Sequence, residues 1–385
     1  MNGERLLQSL DALAQVGAIE GGGCSRLAFT PEDAAGRARV VQWMVEAGLQ
    51  VRVDAAGNTV GRRAGRTDGP AVMTGSHIDT VRTGGRYDGT LGVLAGLELV
   101  RTLNERGVTT RRPLEVAFFS NEEGARFPPD MMGSLMYVGA LAHDELVPRV
   151  RELLPDFAGP APVPGPAPYA FVELHIEQGP VLEAEGLDIG VVTGVQGISW
   201  HRVVYEGVSN HAGTAPMRLR DDAGRKAMTL AAHVHGLASG DAVATVGSMR
   251  LSPNLINVVP NRAEMTVDLR SPDAEQLRAM EAAFLGALHD ANHENLVRLE
   301  PMVFDPDVVD RIERAAQRRG LKQRRMVSGA GHDAQMLSRV CPAAMVFVPS
   351  VGGISHNVRE HTMPEHLIAG AEVLADVLLE LSDVE

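Results

Sequence analysis

Three stretches near the start of the chain carry apolar residues at helical spacing. The first predicts an amphipathic helix with apolar positions at Leu6, Leu7, Leu10 and Leu13. The second begins at Thr30-Pro31-Glu32-Asp33, which places a capping threonine, a proline and two acids where a helix N-terminus favours them. Its predicted buried face is Val40, Val41, Met44 and Val45. The third, residues 90–105, has Gly92 and Gly96 on one face and can therefore pack closely against a neighbour.

Four apolar runs of strand length each lead into side chains that can bind divalent metals. The runs are residues 71–74, 116–119, 169–172 and 344–348, and the side chains after them are His77, Asp79 and Asp88, then Glu122 and Glu123, then His175, then His356. In an open α/β sheet, ligands gather beyond the carboxyl ends of the strands. The pattern therefore predicts a shared metal site at one edge of a sheet, which is typical of a metallohydrolase.

The pattern changes between about residues 199 and 303. Strands are predicted at 200–205, 242–251, 264–270 and 296–303, and helices at 221–237 and 274–291. The second of these helices has a predicted apolar face of Leu277, Met280, Phe284, Leu285 and Leu288. The order β-α-β-β-α-β is ferredoxin-like, and it contains none of the four metal-binding stretches. We therefore predict a catalytic α/β domain, residues 1–198 and 304–385, with a mixed sheet flanked by helices and split by an inserted α+β domain, residues 199–303.

The number of candidate ligands suits two metal ions rather than one. A catalytic ion needs only three protein ligands, whereas the chain offers five: His77, Asp88, Glu123, His175 and His356. Five ligands with one bridging carboxylate would hold two ions about 3.5–4 Å apart. Asp88 suits the bridge because the glycines around it let its loop fold sharply. Zinc is the first candidate, and manganese, cobalt and nickel accept the same ligands.

The adjacent pair Glu122 and Glu123 predicts a division of roles. Neighbouring side chains in an extended chain point to opposite sides, so Glu123 can bind metal while Glu122 faces the cavity as a general base. Asp79, two residues after His77, is expected to hydrogen-bond a ligand histidine.

Single residues of these types are weak signals, since a lone histidine is more often a core residue and a lone acid after a strand is more often a cap. The joint occurrence at four strand ends favours the metal site. The remaining candidates lack convergent partners and are expected to be structural: His143, His233, His235, His289, His293 and His366. His332 is intermediate, because the glycines before it suggest a cavity wall.

Composition narrows the function class. The formal net charge of −13 over 385 residues argues against a nucleic-acid partner. Two cysteines match neither a disulfide framework nor a cysteine-rich zinc site. No run approaches the ~18 apolar residues of a membrane span, and the start does not resemble a signal peptide, so we expect a soluble, cytoplasmic protein. The chain also lacks a Walker loop, a Gly-x-Ser-x-Gly elbow and a His-Glu-x-x-His motif.

The chain resembles the zinc-dependent N-carbamoyl-L-amino-acid hydrolases and allantoate amidohydrolases, which are related to the co-catalytic zinc aminoacylases and carboxypeptidases. The matching motifs are GSHIDTVRTGGRYDGTLGVLAG, SNEEGARF, ELHIEQGPVLE, GVSNHAGTAPM, NVVPNR with the following DLR, SGAGHDA and VPSVGGISHNVREHT. ELHIEQGP is typical of the branch that cleaves ureido groups, since the peptidases usually have an acidic residue in place of His175.

The resemblance implies a role for each candidate residue. One ion would be held by His77, Asp88 and His175, and the other by Asp88, Glu123 and His356. The resemblance assigns the general base to Glu122, the ureido end of the substrate to Gln178, the oxyanion to His211, and the substrate carboxylate to Asn257 and Arg270. It also implies that the inserted domain forms a homodimer, with His211 acting either in its own chain or across the interface. Because His211, Asn257 and Arg270 lie in the inserted domain and the metal ligands lie outside it, we predict that this domain closes over the metals as a lid, with hinges near residues 198 and 304. Arginine suits bidentate carboxylate binding on chemical grounds as well.

Several interpretations of the function stay open at this point. N-carbamoyl-L-amino acids are the first candidate substrates, with allantoate, N-carbamoyl-β-alanine and ureidoglycolate next, because all are small ureido carboxylates. A dipeptidase or aminoacylase would differ in its leaving group. A non-catalytic binding protein would have no need of Glu122. The segment 127–132 departs from the family pattern and is expected to affect substrate size.

Overall fold

The computed structural model describes residues 1–383. The helices are α1 (Gly3–Ala14), α2 (Pro31–Glu46), α3 (Thr90–Glu105), α4 (Met132–Tyr137), α5 (Pro148–Leu153), α6 (Val181–Glu185), α7 (Ala223–His235), α8 (Ala274–Gly286), α9 (Pro306–Arg318), α10 (Asp333–Leu337) and α11 (Pro364–Asp383). The strands are β1 (Gln50–Val53), β2 (Thr59–Arg63), β3 (Val72–His77), β4 (Leu114–Phe119), β5 (Ala170–Ile176), β6 (Ile189–Val195), β7 (Gly197–Glu206), β8 (Val243–Ser252), β9 (Arg262–Ser271), β10 (Ala291–Leu299), β11 (Met302–Val303), β12 (Gln323–Ser328) and β13 (Ala343–Val348).

The chain forms two compact units. The first consists of Met1–Thr193 together with the described residues from Phe304 onward, and the second is Gly194–Val303. The boundary predicted between residues 198 and 199 falls inside β7, which begins at Gly197. In the part of the chain that the structure describes, no helix combines the length and the apolar character needed to cross a membrane.

The first unit is built on a mixed sheet with the order β1-β2-β4-β3-β5-β13-β6, and β12 also pairs with β6. Its four central strands, β4, β3, β5 and β13, are parallel to one another, whereas β2 and β6 join them in antiparallel fashion. Every residue of these four strands is buried, as expected for parallel strands covered on both faces. The carboxyl ends of all four therefore lie at the same edge of the sheet, and the predicted mixed α/β architecture is confirmed.

The second unit is a four-stranded antiparallel sheet with the order β10-β7-β9-β8. Helices α7 and α8 pack against this sheet, with Leu230, Leu277 and Phe284 in the shared core. Asp222 and Asp273 cap the two helices by accepting main-chain N–H groups. The strand order and the two helices form the ferredoxin-like arrangement predicted from the sequence.

Two predicted helix details are wrong. In α2, Val40 and Met44 are buried but Val45 is 59% exposed. The helix instead turns Arg37 inward, where its guanidinium pairs with Asp33 and donates to the Gly57 carbonyl oxygen. A polar residue can occupy the buried face here because these partners satisfy its donors.

In the second unit, α8 ends at Gly286 rather than at residue 291. Ala291 already belongs to β10, where it pairs with Tyr205 of β7. Leu285 is 46% exposed and lies off the predicted apolar face. Strand pairing thus overrides the local helix preference of this alanine- and leucine-rich segment.

The close packing of α3 gives a test of the fold. A Cβ atom on Gly96 would lie 2.6 Å from Cγ2 of Thr74, and the Thr74 hydroxyl donates to the Val172 carbonyl oxygen at 2.7 Å, which holds its rotamer. We expect Gly96→Ala to lower the free energy of unfolding by about 1–3 kcal/mol. Gly286→Ala is the matched control, since a Cβ there meets nothing within 4 Å. Urea unfolding measures both variants, and equal stabilities would contradict the close approach of α3 to β3.

Candidate metal centre

The candidate ligands of the first unit lie where the four parallel strands end. His77 is the last residue of β3, and His175 is near the end of β5. Glu122 and Glu123 follow β4, and His356 lies beyond β13. Asp88 precedes α3 in the glycine-rich loop after β3. The strand edge thus brings together residues that are far apart in sequence.

The first group consists of His77, Asp88 and His175, whose ligand atoms lie within 4.8 Å of one another. The Asp88 Oδ1 atom is 3.5 Å from Nε2 of His77 and 3.1 Å from Nε2 of His175. Each imidazole is oriented by its other nitrogen. His77 Nδ1 donates to the Asp79 carbonyl oxygen and His175 Nδ1 to the Ile176 carbonyl oxygen, both at 2.9 Å. These bonds leave the Nε2 lone pairs facing Asp88, which is the tautomer that a metal requires.

The second group consists of Asp88, Glu123 and His356. His356 Nε2 lies 3.4 Å from Asp88 Oδ2 and 3.3 Å from Glu123 Oε2. The two oxygens of Asp88 therefore face different groups, so the geometry allows this carboxylate to serve both. The His356 side chain is 51% exposed, in contrast to the buried histidines of the first group.

The electrostatics of the cluster suit a cation. Burial and the charge of Asp88 raise the pKa of Glu123 to about 8, and burial raises the pKa of Glu122 well above its usual value. The hydrogen bond to Asp88 raises the pKa of His356 to about 9. Oε1 of Glu123 is buried and has no hydrogen-bond partner within the described chain. Buried acids need positive partners, and this imidazole and carboxylate donor set fits first-row divalent ions.

The two adjacent glutamates lie beside different groups of candidate ligands. Glu122 Oε2 lies 3.4 Å from His77 Nε2, on the side of the first group, whereas Glu123 belongs to the second group. Asn121, with φ 53°, produces the sharp turn before them. Glu122 is only 8% exposed and lines the cavity beside both groups.

Asp79 acts differently from the expectation. Its side chain accepts the main-chain N–H groups of Glu122 and Glu123, both at 3.3 Å, and does not bond the histidine. His77 takes the main-chain oxygen of Asp79 instead. The turn at Asn121 explains the difference, because it aims both glutamate amides at the buried Asp79 carboxylate. Asp79 therefore orients the two glutamates.

Gln178 also lies at this site. Its side-chain amide donates to Asp88 Oδ2 at 3.0 Å, and its Nε2 atom is 3.5 Å from Nε2 of His356. Its Oε1 atom is buried without a hydrogen-bond partner in the described residues. The main-chain amide is anchored by the Ser350 hydroxyl at 3.0 Å. This position allows the side chain to contact a substrate next to Asp88.

The other three predicted substrate residues belong to the second unit. His211 and Asn257 lie on adjoining loops, joined by a hydrogen bond from the Ala212 amide to the Asn257 carbonyl oxygen at 3.0 Å. Nδ1 of His211 accepts the amides of the next loop residues at 3.0 and 3.3 Å, which leaves its Nε2–H as an outward donor. Arg270, on β9, is paired with the Asp268 carboxylate on the same strand.

Glu360 is a site residue that the sequence did not indicate. Its buried carboxylate accepts the amides of Tyr87 and Asp88 at 3.0 and 3.3 Å and the Ser355 hydroxyl at 3.0 Å. It thereby ties the Asp88 loop to the loop that carries His356. Glu360 lies in a polar loop that is far from Asp88 in sequence. Acids in such loops usually face solvent, so the residues around Glu360 do not indicate this contact.

Two further buried residues, Glu173 and His332, lie beside His175. Glu173 accepts the Ser76 hydroxyl at 2.5 Å and the Ala334 amide at 2.8 Å. The ring of His332 packs edge-on against His175, with centroids 4.6 Å apart, and its Nε2 contacts the Ser328 hydroxyl. Glu173 could have been recognised from the sequence, because it is a charged residue inside a buried strand, two positions before His175. His332 lies in the cavity wall, as its glycine-rich context suggested.

A cavity of about 140 Å³ opens onto both ligand groups. Beyond the residues already described, its walls are Asp130, Met131, Ala330 and Gly331. The cavity thus extends from the acid and histidine cluster to Asp130 and Met131. These two residues belong to the segment 127–132, which is expected to affect substrate size.

Comparison with known proteins identifies the family of the chain. Residues 73–380 match the peptidase family M20/M25/M40. The chain is 40% identical to an N-carbamoyl-L-amino acid amidohydrolase of Geobacillus stearothermophilus, with 100% of both chains covered. It is 35% identical to an allantoate amidohydrolase of Bacillus subtilis, with 97% of this chain and 96% of the relative covered. The structure matches an amidase of the hydantoinase/carbamoylase family from Burkholderia multivorans with a TM-score of 0.95, 42% identity, and 100% and 99% of the two chains covered.

The contacts of Glu360 lead to a prediction about metal affinity. Glu360→Ala leaves the amides of Tyr87 and Asp88 without their acceptor, so we expect the affinity for divalent ions to fall by about 10–100-fold. Glu360→Gln should restore most of it, because an amide oxygen can accept the same bonds. Glu365→Ala, at an exposed acid of α11, is the control. Competition with a chelator would measure the affinities, and equal values for the three variants would exclude this role.

Proposed function

The chain belongs to peptidase family M20/M25/M40 and is a hydrolase of carbon–nitrogen bonds other than peptide bonds, and we propose that it removes the carbamoyl group from N-carbamoyl-L-amino acids. The products would be the amino acid, ammonia and carbon dioxide. The observation that carries this proposal is the pair of ligand groups that share Asp88, with Glu122 beside them in the same cavity. Relatives that act on N-carbamoyl-L-amino acids support this substrate class, and allantoate is the second candidate because one relative carries that name.

We propose that the site takes two divalent ions, with zinc as the first candidate. His77, Asp88 and His175 would hold one ion, and Asp88, Glu123 and His356 the other. When bound, such ions polarise a carbonyl group and make water a stronger acid near neutral pH.

The residues of the chain would supply binding and proton transfer. Glu122 is buried beside His77 and its pKa is raised by burial, so its carboxylate suits a base that takes a proton from the attacking water and passes it to the departing nitrogen. The Gln178 side chain would contact the ureido group. His211 presents an Nε2–H donor, which is the group that stabilises a developing oxyanion.

The substrate carboxylate would be bound by Arg270 and Asn257. Arginine binds carboxylates through two parallel hydrogen bonds, and Arg270 already makes contacts of this kind with Asp268. Both side chains of this pair are partly exposed, and pairs of that kind contribute only about 0–1 kcal/mol. A substrate carboxylate can therefore compete for the guanidinium. The roles of the second unit as a lid and as a dimerisation domain stay predictions.

A substrate panel tests the proposal directly. We expect ammonia release from N-carbamoyl-L-amino acids, a lower rate with allantoate and N-carbamoyl-β-alanine, and none with dipeptides or N-acetyl-amino acids. Removal of metal with a chelator should abolish the activity, and zinc, manganese or cobalt should restore it. Faster cleavage of dipeptides or N-acyl-amino acids would identify the chain as a peptidase or aminoacylase instead. Binding without turnover would favour a binding protein.

The base can be tested by one substitution. Glu122→Gln keeps the shape of the side chain but cannot accept a proton at neutral pH, so we expect kcat to fall by about 10²–10⁴-fold. Substrate affinity and metal content should stay close to those of the wild type, as measured by calorimetry and elemental analysis. Glu32→Gln, at an exposed acid of α2, is the control. A metal-loaded Glu122→Gln protein with normal turnover would assign the base elsewhere.

A further inference from the structure

Asp130 places an additional acid in the wall of the catalytic cavity. It lines the same cavity as Glu122 and the candidate metal ligands, and it is exposed. None of the roles assigned above uses it, and it belongs to none of the three residue groups that could hold a metal ion. It lies in the loop between β4 and α4.

The main chain around Asp130 is held firmly beside the catalytic residues. The Asn121 side-chain amide donates to the carbonyl oxygens of Phe127 and Pro129 at 2.9 and 3.0 Å. The Met131 amide donates to the Glu122 carbonyl oxygen at 2.7 Å. Asp130 lies between two of these anchored positions. The main chain on both sides of Asp130 is therefore held close to Glu122.

The Asp130 carboxylate has no partner of opposite charge. No other residue in the range 1–383 makes a side-chain hydrogen bond or an ion pair with it, and the cavity has no lysine or arginine among its lining residues. The nearest arginine in sequence, Arg126, donates to the carbonyl oxygens of Ala28 and Phe29 at 3.0 and 2.6 Å. An acid that is positioned in a binding cavity but left unpaired is suited to meet a donor on a ligand.

The cavity wall next to Asp130 contains one apolar side chain of some length, Met131. Met131 follows Asp130 with φ 51°, and its Cε atom lies 2.8 Å from the place that a Cβ on Gly331 would occupy. The end of the Met131 side chain therefore packs against the loop at 330–331, and both line the cavity. A methionine side chain offers a flexible contact for aliphatic chains.

We propose that Asp130 is a specificity-determining residue that favours N-carbamoyl-L-amino acids with a cationic side chain. The aliphatic part of a lysine- or ornithine-like side chain would lie along Met131, and its ammonium group would donate to the Asp130 carboxylate. Substrates with an anionic side chain would be disfavoured by like-charge repulsion. This inference rests on the proposed function, since it concerns which members of that substrate class are used.

The test compares substrates that differ in charge but little in length. Nα-carbamoyl-L-lysine, Nα-carbamoyl-L-norleucine and N-carbamoyl-L-glutamate would be assayed by ammonia release with the wild type, Asp130→Asn and Asp130→Lys. We expect the wild type to prefer the lysine derivative over the norleucine derivative in kcat/KM, and Asp130→Asn to reduce that ratio by about two- to fivefold, as for an exposed charge pair. Asp130→Lys should reverse the order and favour the glutamate derivative. Asp156→Asn removes an exposed acid of the same unit outside the cavity and should leave the ratio unchanged.

Two results would overturn the inference, and they can be told apart. If the wild type hydrolyses all three compounds without a preference for the lysine derivative, or if Asp130→Asn keeps that preference, Asp130 does not select the substrate while the proposed function stands. If the wild type releases ammonia from none of these or other N-carbamoyl-L-amino acids, the proposed function fails and the inference fails with it. A preference that weakens with rising salt in the wild type, but not in Asp130→Asn, would support the charge contact.

Discussion

The site depends on one buried carboxylate, Asp88, whose two oxygens lie near different groups of candidate ligands. Asp88 is only 4% exposed, and its two oxygens face histidines of different groups. The backbone can bring it there because of two glycines. A Cβ atom on Gly85 would overlap the Glu360 side chain, and one on Gly89, where φ is 65°, would lie 2.5 Å from the His77 ring. Larger residues at either position would displace the loop that carries Asp88. The position of the Asp88 charge therefore depends on the conformation of this loop.

Much of this arrangement could be predicted from the chain alone because it follows from local rules. Apolar runs that end in His77, Glu123, His175 and His356 predicted strands whose ends converge, and parallel pairing of β4, β3, β5 and β13 brings those ends together. The ferredoxin-like order of the second unit could be predicted for the same reason, since alternation and helical spacing are properties of short segments.

The remaining details depend on contacts between distant segments. The Asp79 carboxylate accepts the amides of Glu122 and Glu123, which follow the left-handed Asn121. Asparagine favours this backbone conformation, but the sequence does not show which distant acceptor the turn will face. Glu360 is recognisable only once the Asp88 loop is folded against it. Likewise, Arg37 is buried because Gly57 and Ser120 supply acceptors from other segments. In each case a polar group is satisfied by a partner that periodicity cannot reveal.

The unequal exposure of the histidines has a consequence for how the centre would lose its ions. His77 and His175 are held in strands and are almost fully buried, whereas His356 is half exposed on a loop. If the two groups hold ions as proposed, local opening of that loop would release one ion while the buried histidines retain the other. The enzyme would then pass through a half-loaded state during dilution or purification. Its specific activity would depend on how recently it had been exposed to free metal, even when the protein is fully folded.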